Sequence, residues 1–240
     1  MRLIKNDEKI VITRPKMQCD APLGKNIPAP LMNNHAFVMF VAPPGSGKTS
    51  TLCGLLTSIY KKVFQRIFVF MPHASAASLP DNHLFRKMDI VDELTGEGLH
   101  KVIEELKKAS EDDEPSLIII DDQVSMSKNI EVINELKYLI LNRRHLRCSI
   151  WMAGQTLNAT AALVFRKNAS HVFTWRPGRK ELIDIWSEFM NGMPKEMAEK
   201  IYKTYCVNAH DFLFITMSNN KIYNKDFDQI LWDDDRIDDE

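Results

Sequence analysis

Residues 42–49 read APPGSGKT, set directly after the apolar run 36–41 and directly before an amphipathic stretch beginning at Lys48. Few segments constrain a fold as strongly. Gly45 and Gly47 permit positive φ and close approach of the backbone to a ligand. Pro43 and Pro44 lack an N–H and can only shape the turn. The backbone N–H groups from Gly45 to Thr49 are then left pointing into one small cavity, and the amino end of the following helix adds its partial positive charge. A strand, a glycine-rich turn and a helix in that order form a cradle for phosphate groups.

In this P-loop, or Walker A segment, the nucleotide-binding residues are Gly45, Ser46, Gly47, Lys48, Thr49 and Ser50. Lys48 is expected to reach the β- and γ-phosphates, and Thr49 to hold Mg²⁺ through its hydroxyl. About 70 residues on, 116–122 reads SLIIIDD, an apolar strand ending in two carboxylates, which suits a Walker B segment. Asp121 stands where it would hold Mg²⁺, and Asp122 where it would orient or deprotonate the attacking water. Residues 149–155, SIWMAGQ, end another apolar strand at Gln155. In P-loop NTPases with an added strand between the two Walker strands, a polar residue here senses the γ-phosphate.

The remaining pattern gives the architecture. Short apolar runs at 36–41, 67–71, 117–120, 149–153, 171–175 and 212–217 read as buried strands. Helical periodicity covers 48–63, 98–109, 130–141, 179–190 and 195–205. Alternation of the two predicts βαβ units around a mainly parallel sheet, with ligands at the carboxyl ends of its strands. The fold class expected is α/β: a P-loop NTPase of the RecA/FtsK–HerA type, a three-layer sandwich with a mainly parallel central sheet. Residues 1–35 read as an extended arm with a strand at 10–13 and a proline-rich stretch at 15–30. Residues 36–225 form the ATPase domain, and 226–240 an acidic tail. The loop 110–115, SEDDEP, reads as solvated.

Composition removes several classes. Four cysteines without a CxxC pair suit neither a zinc site nor a disulfide framework. Reduced thiols in a cytosol-like compartment are therefore expected, and neither a signal peptide nor a stretch long enough to span a bilayer is expected. A GTPase would need a base-reading NKxD, and residues 224–227 read NKDF. A small-molecule kinase rarely pairs two strand-end carboxylates with a glutamine, and a two-domain helicase needs more chain. An oligomeric NTPase, in which one subunit completes its neighbour's site, remains.

Beyond the two Walker segments, 142–155 (NRRHLRCSIWMAGQ) and 165–168 (FRKN) resemble the poxvirus-type genome-packaging ATPases of the FtsK–HerA superfamily, a likeness covering roughly residues 36–190. The resemblance implies an ATP-driven homo-oligomeric ring that threads double-stranded DNA into a preformed capsid, with ATP and Mg²⁺ as cofactors. It also implies capsid or portal-vertex proteins as partners, and residence in the host-cell cytoplasm or viral factory and in the virion. Lys48, Thr49, Asp121, Asp122 and Gln155 carry over by position. Much of the superfamily has Glu where this chain has Asp122, one methylene shorter. A DNA pump of the same superfamily outside packaging, and a nucleotide-gated scaffold with little turnover, are the competing expectations.

Net charge is −1 overall, but the last fifteen residues carry eight acids and one base, a net of −7, leaving +6 on the other 225. Residues 142–180 hold eight bases (Arg143, Arg144, Arg147, Arg166, Lys167, Arg176, Arg179, Lys180) and no acid. Such a window suits either an arginine finger acting on a neighbour's site or contact with the DNA backbone. Arg144 and Arg166 are the catalytic finger candidates, both expected near the carboxyl ends of strands. Arg143, Arg147 and Lys167 suit either role. Trp175, Trp186, Phe165 and Phe173, interspersed among these bases, read as core packing.

Overall fold

Continuous apolar runs with no polar face need cover on both sides, and a sheet clothed by helices provides it. The computed structural model describes residues 22–24, 26–72, 89–91, 93–122, 129–160 and 163–232. The expected strand at 10–13, much of the proline-rich arm and residues 233–240 lie outside these. The described chain runs β1 (Phe37–Val41), α1 (Lys48–Thr57), β2 (Arg66–Phe70), β3 (Asp89–Val91), α2 (Gly96–Glu111), β4 (Ser116–Asp121), α3 (Ile130–Asn142) and β5 (Cys148–Gly154). It continues with short α4 (Leu157–Thr160) and α5 (Leu163–Arg166), then β6 (His171–Trp175), α6 (Arg179–Phe189), α7 (Lys195–Tyr205), β7 (Phe212–Thr216), β8 (Lys221–Tyr223) and β9 (Gln229–Ile230).

One nine-stranded sheet has the order β3-β2-β4-β5-β1-β6-β7-β8-β9. All pairings from β3 to β6 are parallel; β7, β8 and β9 extend it antiparallel. β5 lies between β1 and β4, so the three strands whose ends carry the sequence motifs are adjacent.

Side chains alternate between two cores, as strand geometry requires. Phe37, Met39 and Val41 face α2, α3, α6 and α7 through Leu99, Leu136, Leu182 and Ile201. Val38 and Phe40 face α1 through Leu52, Leu55 and Leu56, with Trp151, Phe173 and Trp175. Phe40 and Phe173 stack with centroids 4.6 Å apart. The aromatic residues among the bases are therefore core, with Phe165, Phe173 and Trp175 buried and Trp186 partly so. Ile27, Leu31 and Met32 also pack on the α1 side, so this part of the expected arm is built into the domain. Residues 229–230 join the sheet, past the expected boundary at 225. Among the described residues no helix is long and apolar enough to cross a membrane.

α1 stops at Thr57, six residues short of the periodic pattern. Thr57 Oγ1 donates to Cys53 O (2.8 Å) and Ser58 Oγ to Gly54 O (2.6 Å), and the chain then turns through Lys62 at φ 63°. Side-chain hydroxyls thus bond carbonyls of the last turn and compete with the helical ladder. α2 and α3 begin where the caps dictate. Thr95 accepts from Gly98 N (3.0 Å), and Asn129 accepts from Glu131 N (2.9 Å).

Candidate nucleotide site

The turn 42–47 leaves β1 and is pinned to β5 by Ala42 N donating to Gly154 O (3.2 Å). Gly45 and Gly47 adopt φ 75° and 95°, the left-handed region where a Cβ is costly. α1 starts without a side-chain cap, Gly47 being its N-cap residue. The first N–H groups of the helix, around Lys48, Thr49 and Ser50, are thus left for an anion. Lys48 is buried (9% exposed). Its Nζ donates to Ala42 O (2.7 Å) and Pro43 O (3.1 Å), so the loop's own carbonyls hold the ammonium. Burial lowers its pKa, opposed by the charges of Asp121 and Asp122.

Thr49 Oγ1 donates to Asp121 Oδ2 at 3.0 Å, joining positions 72 apart in sequence. Asp121 ends β4 and is buried. Desolvation raises its pKa above the usual carboxylate range, Thr49 and Lys48 pull it down, and Asp122 pushes it up. A hydroxyl and a carboxylate side by side are the hard oxygen ligands that Mg²⁺ takes when phosphates and water complete its shell. The set therefore fits a Mg–nucleotide, with the orphan helix N–H groups turned to its phosphates.

Asp122 follows the strand at φ 54°. An L-residue occupies that region only where its surroundings impose it, although Asp tolerates it better than most. Two contacts impose it here: Asp122 N donates to Ala153 O (3.3 Å), and Oδ1 accepts from Gln155 Nε2 (3.1 Å). Gln155 comes directly off β5, so the residue read as a sensor touches the residue read as the base.

The arginines stand elsewhere. In a parallel sheet the residues before a strand lie at the edge opposite those after it. Arg144 precedes β5 and Arg166 precedes β6, so both lie at the amino edge and not, as expected, near the carboxyl ends. β5, with seven residues, separates Arg144 from the phosphate loop by about 20 Å. Arg166 Nη1 lies 3.6 Å from Glu188 Oε1, and its side chain is 15% exposed. Arg147 pairs with Asp113 at 2.7 Å, and Arg143 bonds the carbonyls of His35 and Ile140. Acids absent from the basic window thus reach it from other segments, and the 110–115 loop is not merely solvated: Glu114 accepts from Arg66 Nε (3.1 Å). Arg166→Ala is expected to lower stability by about 2 kcal/mol, because a mostly buried Glu188 loses its partner. A shifted denaturation midpoint at unchanged m would measure it. An unchanged midpoint would remove the structural role.

Two features carry no signature in the sequence. Arg179 and Lys180, indistinguishable there from six other bases, line a cavity of about 450 Å³ with Pro43, Pro44, Gln155 and Trp175. His210, 164 positions from Ser46, lies with Nδ1 3.2 Å from Ser46 O.

Residues 29–176 match the sequence profile of the family described as Poxvirus A32 protein. Uncharacterized protein L437 of Acanthamoeba polyphaga mimivirus is 24% identical over 215 residues, 81% of this chain and 71% of that protein. Among solved structures, the genome packaging NTPase B204 from Sulfolobus turreted icosahedral virus 2, in complex with ATP-γS, superposes with TM-score 0.61. The match is at 16% identity over 83% of this chain and 100% of that one. The cytoplasmic domain of the Thermomonospora curvata type VII secretion ATPase EccC gives 0.51 at 11% identity, over 75% of this chain and 24% of that one. At such identities these two structures speak for the fold alone, an α/β domain with a mainly parallel sheet. The profile spans well over half of the sequence, and the chain belongs to the poxvirus A32 protein family.

Proposed function

We propose that this chain is an ATP-hydrolysing motor that moves double-stranded viral DNA into a preformed capsid. The observation that carries the reading is the convergence of Thr49, Asp121, Asp122 and Gln155 beside the phosphate loop, in a chain of the A32 family whose fold recurs in a genome packaging NTPase.

The roles follow from position. Backbone N–H groups of Gly45 to Ser50 bind the phosphates, and Lys48 leaves the carbonyls of Ala42 and Pro43 to neutralise the β- and γ-oxygens. Thr49 and Asp121 hold Mg²⁺, which supplies charge neutralisation when bound. Asp122 takes the proton of the attacking water, and Gln155 couples the presence of a terminal phosphate to the orientation of that carboxylate. Arg179 lines the cavity beside the loop and Gln155, whereas Arg144 stands at the amino edge. Arg144, exposed there, therefore fits action on a neighbouring subunit in a homo-oligomeric ring, and Arg166, committed to Glu188, fits it less. Lys167, exposed, suits contact with the DNA backbone without base reading. Capsid or portal-vertex proteins complete the set of partners, and the viral factory in the host cytoplasm and the virion are the places of action.

The test is steady-state ATPase rate against double-stranded DNA at several salt concentrations. Stimulation that fades as salt rises is expected from phosphate contact, with hydrolysis lost in Lys48→Ala. Tight ATP binding with no hydrolysis, with or without DNA, would leave a nucleotide-gated scaffold in place of a motor.

A further inference from the structure

Between α7 and β7 the chain makes a closed turn over residues 208–211. Asp211 Oδ2 accepts from Asn208 N (2.8 Å) and Asn208 Nδ2 (3.0 Å), and Asp211 N donates to Asn208 O (3.1 Å). Lys225 Nζ stands 3.9 Å from the same carboxylate, which is buried at its residue (6% exposed). The turn is thus fixed from within, and it carries one exposed side chain onto the phosphate loop. His210 Nδ1 is 3.2 Å from Ser46 O, and a Cβ on Gly47 would meet that same nitrogen at 3.0 Å.

Three consequences follow. A carbonyl oxygen only accepts, so the contact requires the proton on Nδ1; the neutral ring then holds an unshared lone pair on Nε2. A phosphate cradle turns its N–H groups inward and its carbonyls outward, so His210 touches the loop from outside. Finally, sheet order fixes which flank that is. Asp121, Asp122 and Gln155 stand on β4 and β5, to one side of β1, and the terminal phosphate faces them. β6 and β7 lie on the other side, so the sugar and base leave the cradle over the flank where this turn stands. Beside it Val207 exposes an apolar side chain to solvent (67%).

We propose that the 206–211 turn is the nucleoside lip of the nucleotide site, with His210 Nε2 accepting a hydrogen bond from a ribose hydroxyl of ATP. The inference rests on the nucleotide-binding reading of the phosphate loop and adds the subsite for the half of the ligand that the Walker residues do not touch.

Equilibrium binding of ATP, 2′,3′-dideoxy-ATP and inorganic tripolyphosphate tests it on the full chain. His210→Ala is expected to weaken ATP by about tenfold, the worth of one hydrogen bond with its ring contact, while tripolyphosphate changes by less than about twofold. Wild-type protein should bind the dideoxy ligand about as weakly as the variant binds ATP, with no further loss when both changes are combined. His210→Asn keeps a donor near Ser46 O but has no Nε2, and should show the same selective loss. Equal weakening of ATP and tripolyphosphate, recovery of ATP affinity in His210→Asn, or no change at all overturns the proposal. Failure of the underlying reading looks different: wild type binds neither ligand, or Lys48→Ala binds both as wild type does.

Discussion

Rings assembled from Arg144→Ala subunits should hydrolyse ATP about 10³–10⁵-fold more slowly than wild type, the range over which a transition-state arginine acts. They should regain activity when Lys48→Ala subunits are mixed in. Arg144 precedes β5 while the phosphate loop meets the far end of that strand, so no side-chain rotation brings it to its own subunit's site. In a mixed ring, the Lys48→Ala subunit still supplies its arginine and the Arg144→Ala subunit still supplies an intact loop, and where the two meet in the right order the site is whole. Neither variant alone has such a junction. Rate measured against mixing ratio at constant total protein reads the effect. Intact rings without rescue would assign Arg144 to DNA contact in place of a neighbour's site.

Asp122→Asn should leave ATP affinity near wild type and slow turnover by about 10²–10⁴-fold, the usual contribution of a positioned general base. The substitution is conservative in geometry. Asn tolerates the left-handed backbone that Asp122 adopts at φ 54°, and its amide oxygen can still accept from Gln155 Nε2. The capacity to take a proton goes, and with it the charge that Asp122 exerts on Lys48 and Asp121. Single-turnover hydrolysis with nucleotide affinity measured on the same preparation separates the two effects. Near-normal turnover would move the base to another group.

The glycine turn at 42–47 and the strand end at Asp121 were legible because each is local: a turn, a strand end and a helix start lie within ten residues, and their physics does not depend on the rest of the chain. α7 likewise matches its periodic stretch residue for residue, since Lys195–Tyr205 is bounded by Pro194 and an apolar face. Distance in sequence hid the rest. Nothing around His210 marks it, because its partner is 164 positions away. The three-residue strand β3 is too short to show a period. The acid-free window looked unpaired because Asp113 and Glu188 belong to other elements. The edge on which Arg144 and Arg166 lie, by contrast, was legible: each precedes an apolar run, at 149–153 and 171–175, and in the expected parallel sheet that order puts both at the amino edge.

That common direction has a consequence for assembly. Every strand from β3 to β6 points the same way, so the molecule has a nucleotide edge and a blunt edge with different chemistry. A subunit that gives Arg144 from one and receives at the other joins unlike surfaces at each contact, which a two-fold axis forbids. Where the rotation between neighbours closes, as in the proposed ring, all members lie the same way up and the two mouths are not equivalent. A thread entering at one meets a surface it does not meet on leaving. In the proposed ring this inequality, which follows from the lack of a two-fold across the axis, would let a cycle of hydrolysis have a forward and a backward.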